Sequence, residues 1–156
     1  MTVPPKPSRS VPNGMELEIV SQDGEPVGVR MTAGNGWIAA VADCRCDLAE
    51  LSELREHLAY AASMHGLSRP YAVGATETEP SGDSFALRLD SRDHAGQWML
   101  LVDVHLRADD RTAAEQRASF TMLVEPNQID AFVDALTAML VSGGDRVKLE
   151  ANRYHA

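Results

Sequence analysis

Apolar and polar residues alternate along three segments in the second half of the chain, with the period of two that marks a half-buried strand. The segments are Phe85–Leu89, Trp98–Leu106 and Ala118–Val124. The connections between them are too short for parallel crossovers, which need a dozen or more residues. The pattern therefore predicts three antiparallel neighbours.

After the third strand the apolar period lengthens to 3.6 residues. The apolar stripe consists of Ile129, Phe132, Val133, Leu136, Met139 and Leu140. Pro126 suits the first turn of a helix, and Gly143-Gly144 suits its end. We expect this amphipathic helix to cover the apolar face of the sheet.

The first half of the chain repeats the same order of elements. Its predicted strands are Met15–Ile19, Val27–Met31 and Trp37–Asp43. Asp47 followed by Glu50 resembles a capping box at the start of a helix. The helix carries a stripe of leucines at positions 48, 51, 54 and 58 and ends at Gly66.

The two halves align with a constant offset of 81 residues at four apolar positions. The aligned pairs are Val41 with Met122, Leu48 with Ile129, Leu51 with Phe132, and Leu58 with Met139. We predict an α+β fold: a mainly antiparallel sheet of about six strands with two helices on one face, built as a βββα–βββα pseudo-repeat. Tyr71–Val73 is a further candidate edge strand, and Val147–Ala151 is a candidate for weak pairing.

One domain is expected at this length. Residues 1–13 are rich in proline and lack periodicity, which is typical of a disordered leader. Residues 14–142 form the predicted domain, with a long polar loop at 68–84 joining its halves, and residues 143–156 form a tail. The sequence has neither a signal-peptide pattern nor an apolar run of 18 residues, which predicts a cytoplasmic location and no membrane span.

The chain is acidic, with a formal net charge of −9. This charge argues against non-specific binding to nucleic acid or to anionic membranes, and it favours attraction to a basic protein. Carboxylates concentrate on the first predicted helix and in the loop after the long strand. We single out Glu50, Glu53, Glu56, Asp109 and Asp110 as candidate partner-binding residues.

The outer face of the second-half sheet is another candidate surface. Asp103 and His105 project from it beside Met99 and Leu101, a mixture of charge and exposed apolar side chains that marks some interfaces. Two solvated strand residues are the plainer interpretation of Asp103 and His105, since solvent-exposed antiparallel sheet faces are common. Burial of this face in a homodimer is a third interpretation.

No catalytic or cofactor motif is apparent. Cys44 and Cys46 lack the further ligands that a zinc site requires, and we interpret them as two reduced cysteines at a strand–helix junction, with metal or redox use as the alternative. The five histidines are scattered, without the H-E-x-x-H spacing of a metalloprotease. We predict no catalytic residue, no metal and no cofactor.

The run FALRLDSRDHAGQWMLLVDVHLRADD, followed by ASFTMLVEPNQIDAFVDALTAML, resembles the WapI-type immunity proteins and related small actinobacterial proteins. The matching features are the D-x-x-G turn Asp93–Gly96, the long apolar strand, the following strand and the final helix. The resemblance spans Trp37 to Leu140 and fixes scaffold positions rather than binding residues. It implies a non-enzymatic antidote that binds and blocks a toxin domain, often a nuclease.

The leading hypothesis is therefore a protein-binding module, an immunity-like inhibitor of a basic toxin domain. One alternative is a small-molecule-binding protein or enzyme with a pocket between sheet and helices, which would show an apolar cavity with convergent polar groups. The other is a homodimeric adaptor protein, separable by sedimentation.

Overall fold

The computed structural model describes residues 12–64, 69–74, 82–90, 96–106 and 116–152. In chain order the elements are β1 (Asn13–Gln22), β2 (Glu25–Asn35), β3 (Ala39–Cys44), α1 (Leu48–Ser63), β4 (Tyr71–Val73), β5 (Ser84–Asp90), β6 (Trp98–Leu106), β7 (Gln116–Val124), α2 (Pro126–Ser142) and β8 (Arg146–Glu150). Within these ranges neither helix has the length and apolarity that crossing a bilayer requires.

The strands form two four-stranded sheets, with the orders β3-β2-β1-β8 and β4-β5-β6-β7. We name them sheet A and sheet B. Every pairing within them is antiparallel. The predicted α+β class with two helices is confirmed, whereas the described strands number eight rather than about six and are divided between two sheets.

The two additional strands follow the helices. Tyr71–Val73 pairs with β5, and Arg146–Glu150 pairs with β1. The candidate strand at each place is thus confirmed, and part of the predicted C-terminal tail belongs to sheet A. Both strands are short, three and five residues, so their alternation is a weak signal in the sequence.

The halves exchange these strands. Each half is a three-stranded meander followed by a helix, and the strand after the helix joins the sheet of the other half. The repeat unit in the structure is therefore βββαβ. This exchange couples the halves, because each sheet is completed by the strand that follows the helix of the other half.

A single apolar cluster fills the space between the sheets and helices. Phe85, Leu87 and Leu89 are buried in alternation along β5, as predicted. The helices add Leu51, Leu54, Leu58 and Ala61 from α1 and Ile129, Phe132, Leu136 and Met139 from α2. Each large side chain buried here contributes about 1.5–3 kcal/mol, so the cluster is the main source of stability.

Both helix starts and the end of α2 follow the sequence signals, whereas α1 ends at Ser63 with Met64 as its cap, before the predicted end at Gly66, which lies outside the described residues. The Asp47 carboxylate accepts a hydrogen bond from the Glu50 backbone N–H at 2.9 Å. Pro126 occupies the first turn of α2, and the Glu125 N–H donates to the Gln128 side chain at 2.8 Å. Gly143 ends α2 with a φ of 79°, a left-handed conformation that glycine adopts without strain.

The alignment of the two halves at an offset of 81 residues matches in burial at two of its four pairs. Leu51 and Phe132 are both buried, as are Leu58 and Met139. Val41 and Leu48, by contrast, are 49% and 39% exposed, whereas their aligned partners Met122 and Ile129 are fully buried. In β3 the buried face carries Ala42 and Cys44, so the strand has the opposite phase from the one the alignment assigned.

The predicted leader falls largely outside the described residues, as does part of the central loop. Of residues 1–13 the structure describes Pro12 and Asn13, and β1 already begins at Asn13. Of the loop 68–84 it describes residues 69–74 and 82–84.

Candidate partner-binding surface

The acidic charge is concentrated on the helical layer. The segments Asp47–Ser63 and Glu125–Ser142 contain seven carboxylates and one basic side chain, Arg55, a net charge of −6. The carboxylates belong to Asp47, Glu50, Glu53, Glu56, Glu125, Asp130 and Asp134. This layer accounts for most of the chain's net charge, so its potential attracts cations.

Two of the predicted site residues on α1 are engaged in holding β4. The Glu50 carboxylate accepts a hydrogen bond from the Gly74 backbone N–H at 3.3 Å, and the Tyr71 hydroxyl donates to the Glu53 carboxylate at 2.8 Å. Burial, reinforced by the bond to Glu53, raises the pKa of the Tyr71 phenol. The His57 ring lies 5.5 Å from the Tyr71 ring, centroid to centroid. Glu50 and Glu53 therefore stabilise the fold as well as contributing charge.

A groove lies between the two helices and has a volume of about 520 Å³. Its lining consists of Ala59, Ala62, Ser63, Trp98, Pro126, Asp130, Val133 and Asp134. Asp130 and Asp134 are exposed, and Trp98 is almost fully buried. The groove thus combines an apolar surface with two carboxylates spaced four residues apart on α2. A lysine or arginine side chain matches this combination, since its stem is apolar and its head is charged.

Asp130 and Asp134 were not among the predicted site residues. The signal for them was the polar face of α2, opposite its apolar stripe. The sequence predicted two helices on one face, but it did not reveal that a groove between them runs along those carboxylates.

The outer face of sheet A is nearly neutral because its charges are paired. Its carboxylates and basic groups are Glu16, Glu18, Asp43 and Glu150 with Arg30, Arg146 and Lys148. Arg30 lies 2.7 Å from Asp43, and Arg146 contacts both Glu16 and Glu18. Such exposed pairs contribute little stability, about 0–1 kcal/mol each, but they leave this face without a strong potential.

The outer face of sheet B has the predicted composition. Arg88, Leu101 and Thr121 occupy one row across the three long strands, and Ala86, Asp103 and Ser119 occupy the next. These six residues, together with Pro70, Val102 and Phe120, line a cleft of about 330 Å³.

Polar contacts within this cleft are already made by the protein itself. The Ser119 hydroxyl donates to the Asp103 carboxylate at 2.9 Å, and Arg88 lies 3.0 Å from Asp90. The small side chains of Ala86 and Ser119 leave the space between Arg88 and Asp103 open.

The predicted site residues therefore do not form one surface. Glu50, Glu53 and Glu56 lie on α1, in the helical layer. Asp103 and His105 lie on the outer face of sheet B. Asp109 and Asp110 lie outside the described residues.

The cysteines lie at the junction predicted for them. Cys44 ends β3, Cys46 precedes the α1 cap, and both are free thiols. Burial, together with the negative charges of Glu50 and Asp47, raises the pKa of the Cys46 thiol to about 12. Burial also raises the pKa of Cys44. Both thiols are protonated at neutral pH and are poor nucleophiles. The described part of the chain contains no group of three or more side chains placed to hold a metal ion.

Comparisons with protein-family models, with curated proteins and with solved structures find no match to this chain. The resemblance to WapI-type immunity proteins stays a prediction from the sequence.

Proposed function

We propose that the protein is a non-enzymatic binding module that receives a basic protein on its helical layer, and that it acts as an immunity-like inhibitor of a nuclease-type toxin domain. The observation that supports this most directly is the net charge of −6 on that layer, against a nearly balanced outer face on sheet A. A nuclease that grips phosphates presents basic surface, and carboxylates on a rigid scaffold compete for it.

The groove between α1 and α2 provides the anchor in this proposal. A basic side chain of the partner lies along Val133 and Ala62 and meets Asp130 and Asp134 at its charged end. The remaining carboxylates of the layer steer the approach and speed association, an effect that salt weakens.

The test is capture of partners from the source organism's lysate on the immobilised protein at low and high salt, followed by binding measurements with the purified partner. The double variant Asp130→Lys/Asp134→Lys is the probe, since these exposed carboxylates lie on the groove. Glu25→Lys/Glu150→Lys is the matched control, with the same change in net charge on exposed positions outside the helical layer.

We expect the groove variant to weaken binding at least about 100-fold, as the loss of two charge-assisted contacts implies, and the control to weaken it less than about fivefold. Equal losses in the two variants would show that only net charge matters. Undiminished binding by the groove variant, with its circular dichroism spectrum intact, refutes the proposal. A captured partner encoded beside this gene and inhibited by the protein would support the antitoxin role.

A second candidate function rests on the cleft of sheet B. Its apolar lining, with Arg88 and Asp103 on it, matches the description of a small-molecule site. Its own charges are internally paired, which leaves less affinity for a ligand, so this candidate ranks second. A thermal-shift screen of small zwitterionic compounds tests it, and loss of any shift in Arg88→Ala would assign the site.

A further inference from the structure

Three of the four edge strands are protected against pairing with another chain. The outer face of β8 carries Arg146, Lys148 and Glu150. The edge of β7 is covered, since the Asn35 side chain donates to the Thr121 carbonyl at 3.2 Å and the Asn152 N–H donates to the Leu123 carbonyl at 2.7 Å. β4 has only three residues. Charge, cover and short length are recognised ways of blocking an edge.

Among the described residues, the fourth edge, β3, has none of these protections along Ala39–Ala42, a stretch without charged residues or proline. The Asn35 N–H donates to the Ile38 carbonyl and closes the β2–β3 hairpin. Because antiparallel pairs alternate, the backbone groups of Ala39 and Val41 then point away from β2. Asp43, next in that series, donates its N–H outward to the Asp83 carboxylate at 3.0 Å.

Both Ala39 and Val41 are exposed, and their outward N–H and C=O groups have no hydrogen-bond partner among the residues that the structure describes. An edge strand with two such successive residues is a template for one more strand.

Apolar side chains frame this edge. Trp37 is 73% exposed and Ile38 is 45% exposed at the hairpin tip. The Asn35 side-chain oxygen accepts hydrogen bonds from the backbone N–H groups of both residues at 2.9 Å, which fixes the turn. An aromatic side chain presented from a fixed turn is a common anchor of interfaces.

We propose that β3 pairs antiparallel with β3 of a second copy of this chain. The stretch Met31–Ala42 contains no charged residue, and the charges that flank it, Arg30 and Asp43, neutralise each other in an ion pair. Two copies with a net charge of −9 each can approach here with the least repulsion. A basic partner, in contrast, gains nothing from this uncharged edge.

The register of the pair follows from the backbone. Pairing centred on Ala40 places Ala39 of one copy opposite Val41 of the other, and both residues point outward. Each such pair exchanges two hydrogen bonds, so the interface contains four, and the two copies of sheet A form one continuous eight-stranded sheet. The interface is isologous, as a two-fold dimer requires.

The contact is small, so the dimer is weak. The exposed parts of Trp37, Ile38 and Val41 amount to less than the roughly 800 Å² per partner of a standard interface. We expect a dissociation constant on the order of 0.1 mM.

Sedimentation equilibrium of the full chain from about 10 µM to about 1 mM tests the proposal, a range that brackets the expected constant. Two variants interrupt the edge. Val41→Lys places a charge on it, and Val41→Pro removes an outward N–H that sheet A itself does not use. Val141→Lys is the control, because it introduces the same charge at another exposed valine, on α2.

The wild type and Val141→Lys are expected to dimerise with equal affinity, and both Val41 variants to dimerise at least tenfold more weakly while keeping the wild-type circular dichroism spectrum. Salt strengthens this dimer by screening the repulsion between acidic copies, whereas it weakens binding at the helical layer, so the two proposals are tested separately. The proposal is overturned if the wild type is monomeric at about 1 mM, even if it binds some other extended peptide at β3. It is also overturned if Val41→Lys dimerises as well as Val141→Lys does.

Discussion

Gly14 is the position where the smallest substitution has the largest expected effect. It lies in β1 opposite Glu150 of β8, and its φ is +147°. A Cβ atom added there would lie 2.3 Å from the Leu149 carbonyl oxygen, a backbone atom that cannot move without shifting β8. Gly14→Ala therefore combines backbone strain with steric overlap.

The magnitude follows from these two effects. A non-glycine residue in a glycine-only conformation costs about 1–3 kcal/mol. Displacing β8 also loosens the packing of Val147 and Leu149, each of which contributes about 1.5–3 kcal/mol when fully buried. We expect a loss of about 3–5 kcal/mol in the free energy of unfolding, since part of the overlap is relieved by movement of β8.

Gly24→Ala is the matched control. Gly24 also has a positive φ, +79°, but a Cβ added there would meet nothing within 4 Å. Gly24→Ala therefore tests backbone strain without steric overlap. We expect a loss of only about 1 kcal/mol in the free energy of unfolding, because alanine also reduces the conformational freedom of the unfolded chain, which partly offsets the strain. The assay is urea denaturation followed by far-ultraviolet circular dichroism, with hydrogen exchange at β8 amides as a local readout. Equal losses in the two variants, or unchanged exchange in β8 of Gly14→Ala, would refute the assigned role of this close approach.

Further predictions concern the core, the thiols and the hairpin. Phe132→Ala should lower the free energy of unfolding by about 3–5 kcal/mol by leaving a cavity, whereas Val141→Ala should change it by less than about 0.5 kcal/mol. Similar losses for the two variants in a denaturant titration would contradict the packing described for α2. Burial raises the pKa of the Cys46 thiol to about 12. The protonated thiol therefore contributes fully to the free energy of unfolding below the pKa of the unfolded thiol, about 8.5, and this contribution is lost as the pH rises toward 12. Unfolding measured between pH 7 and pH 11 should show this decline, and a Cys44→Ala/Cys46→Ala variant with an equally steep decline would argue against it. Asn35→Ala removes two hydrogen bonds within the β2–β3 hairpin and one to the Thr121 carbonyl of β7, and it should cost about 1–3 kcal/mol. It should also increase the quenching of Trp37 fluorescence by acrylamide. Quenching equal to that of the wild type would show that the turn holds without these bonds.

The sequence alone determined the elements whose pattern is long and periodic. The alternation from Phe85 to Val124 predicted three strands with the correct buried face, because a strand between core and water requires a period of two. The stripes of both helices and their caps at Asp47 and Gly143 were also readable, since these depend on neighbours within one or two turns.

Only the tertiary structure decided how the elements are shared. The exchange of β4 and β8 between the halves depends on which edge each helix leads to, and no local pattern encodes that choice. The phase of β3 was misread for a related reason. The alignment of the halves matched Val41 with the buried Met122, whereas the structure buries Ala42 and Cys44 of β3 and exposes Val41.

The same limit applies to the candidate surfaces. The net charge and the carboxylates of α1 were evident from composition, but the groove beside Asp130 and Asp134 exists only because two helices distant in sequence lie side by side. The open edge at Val41 is likewise a property of strand order, which is set by long-range pairing rather than by the residues of β3 themselves.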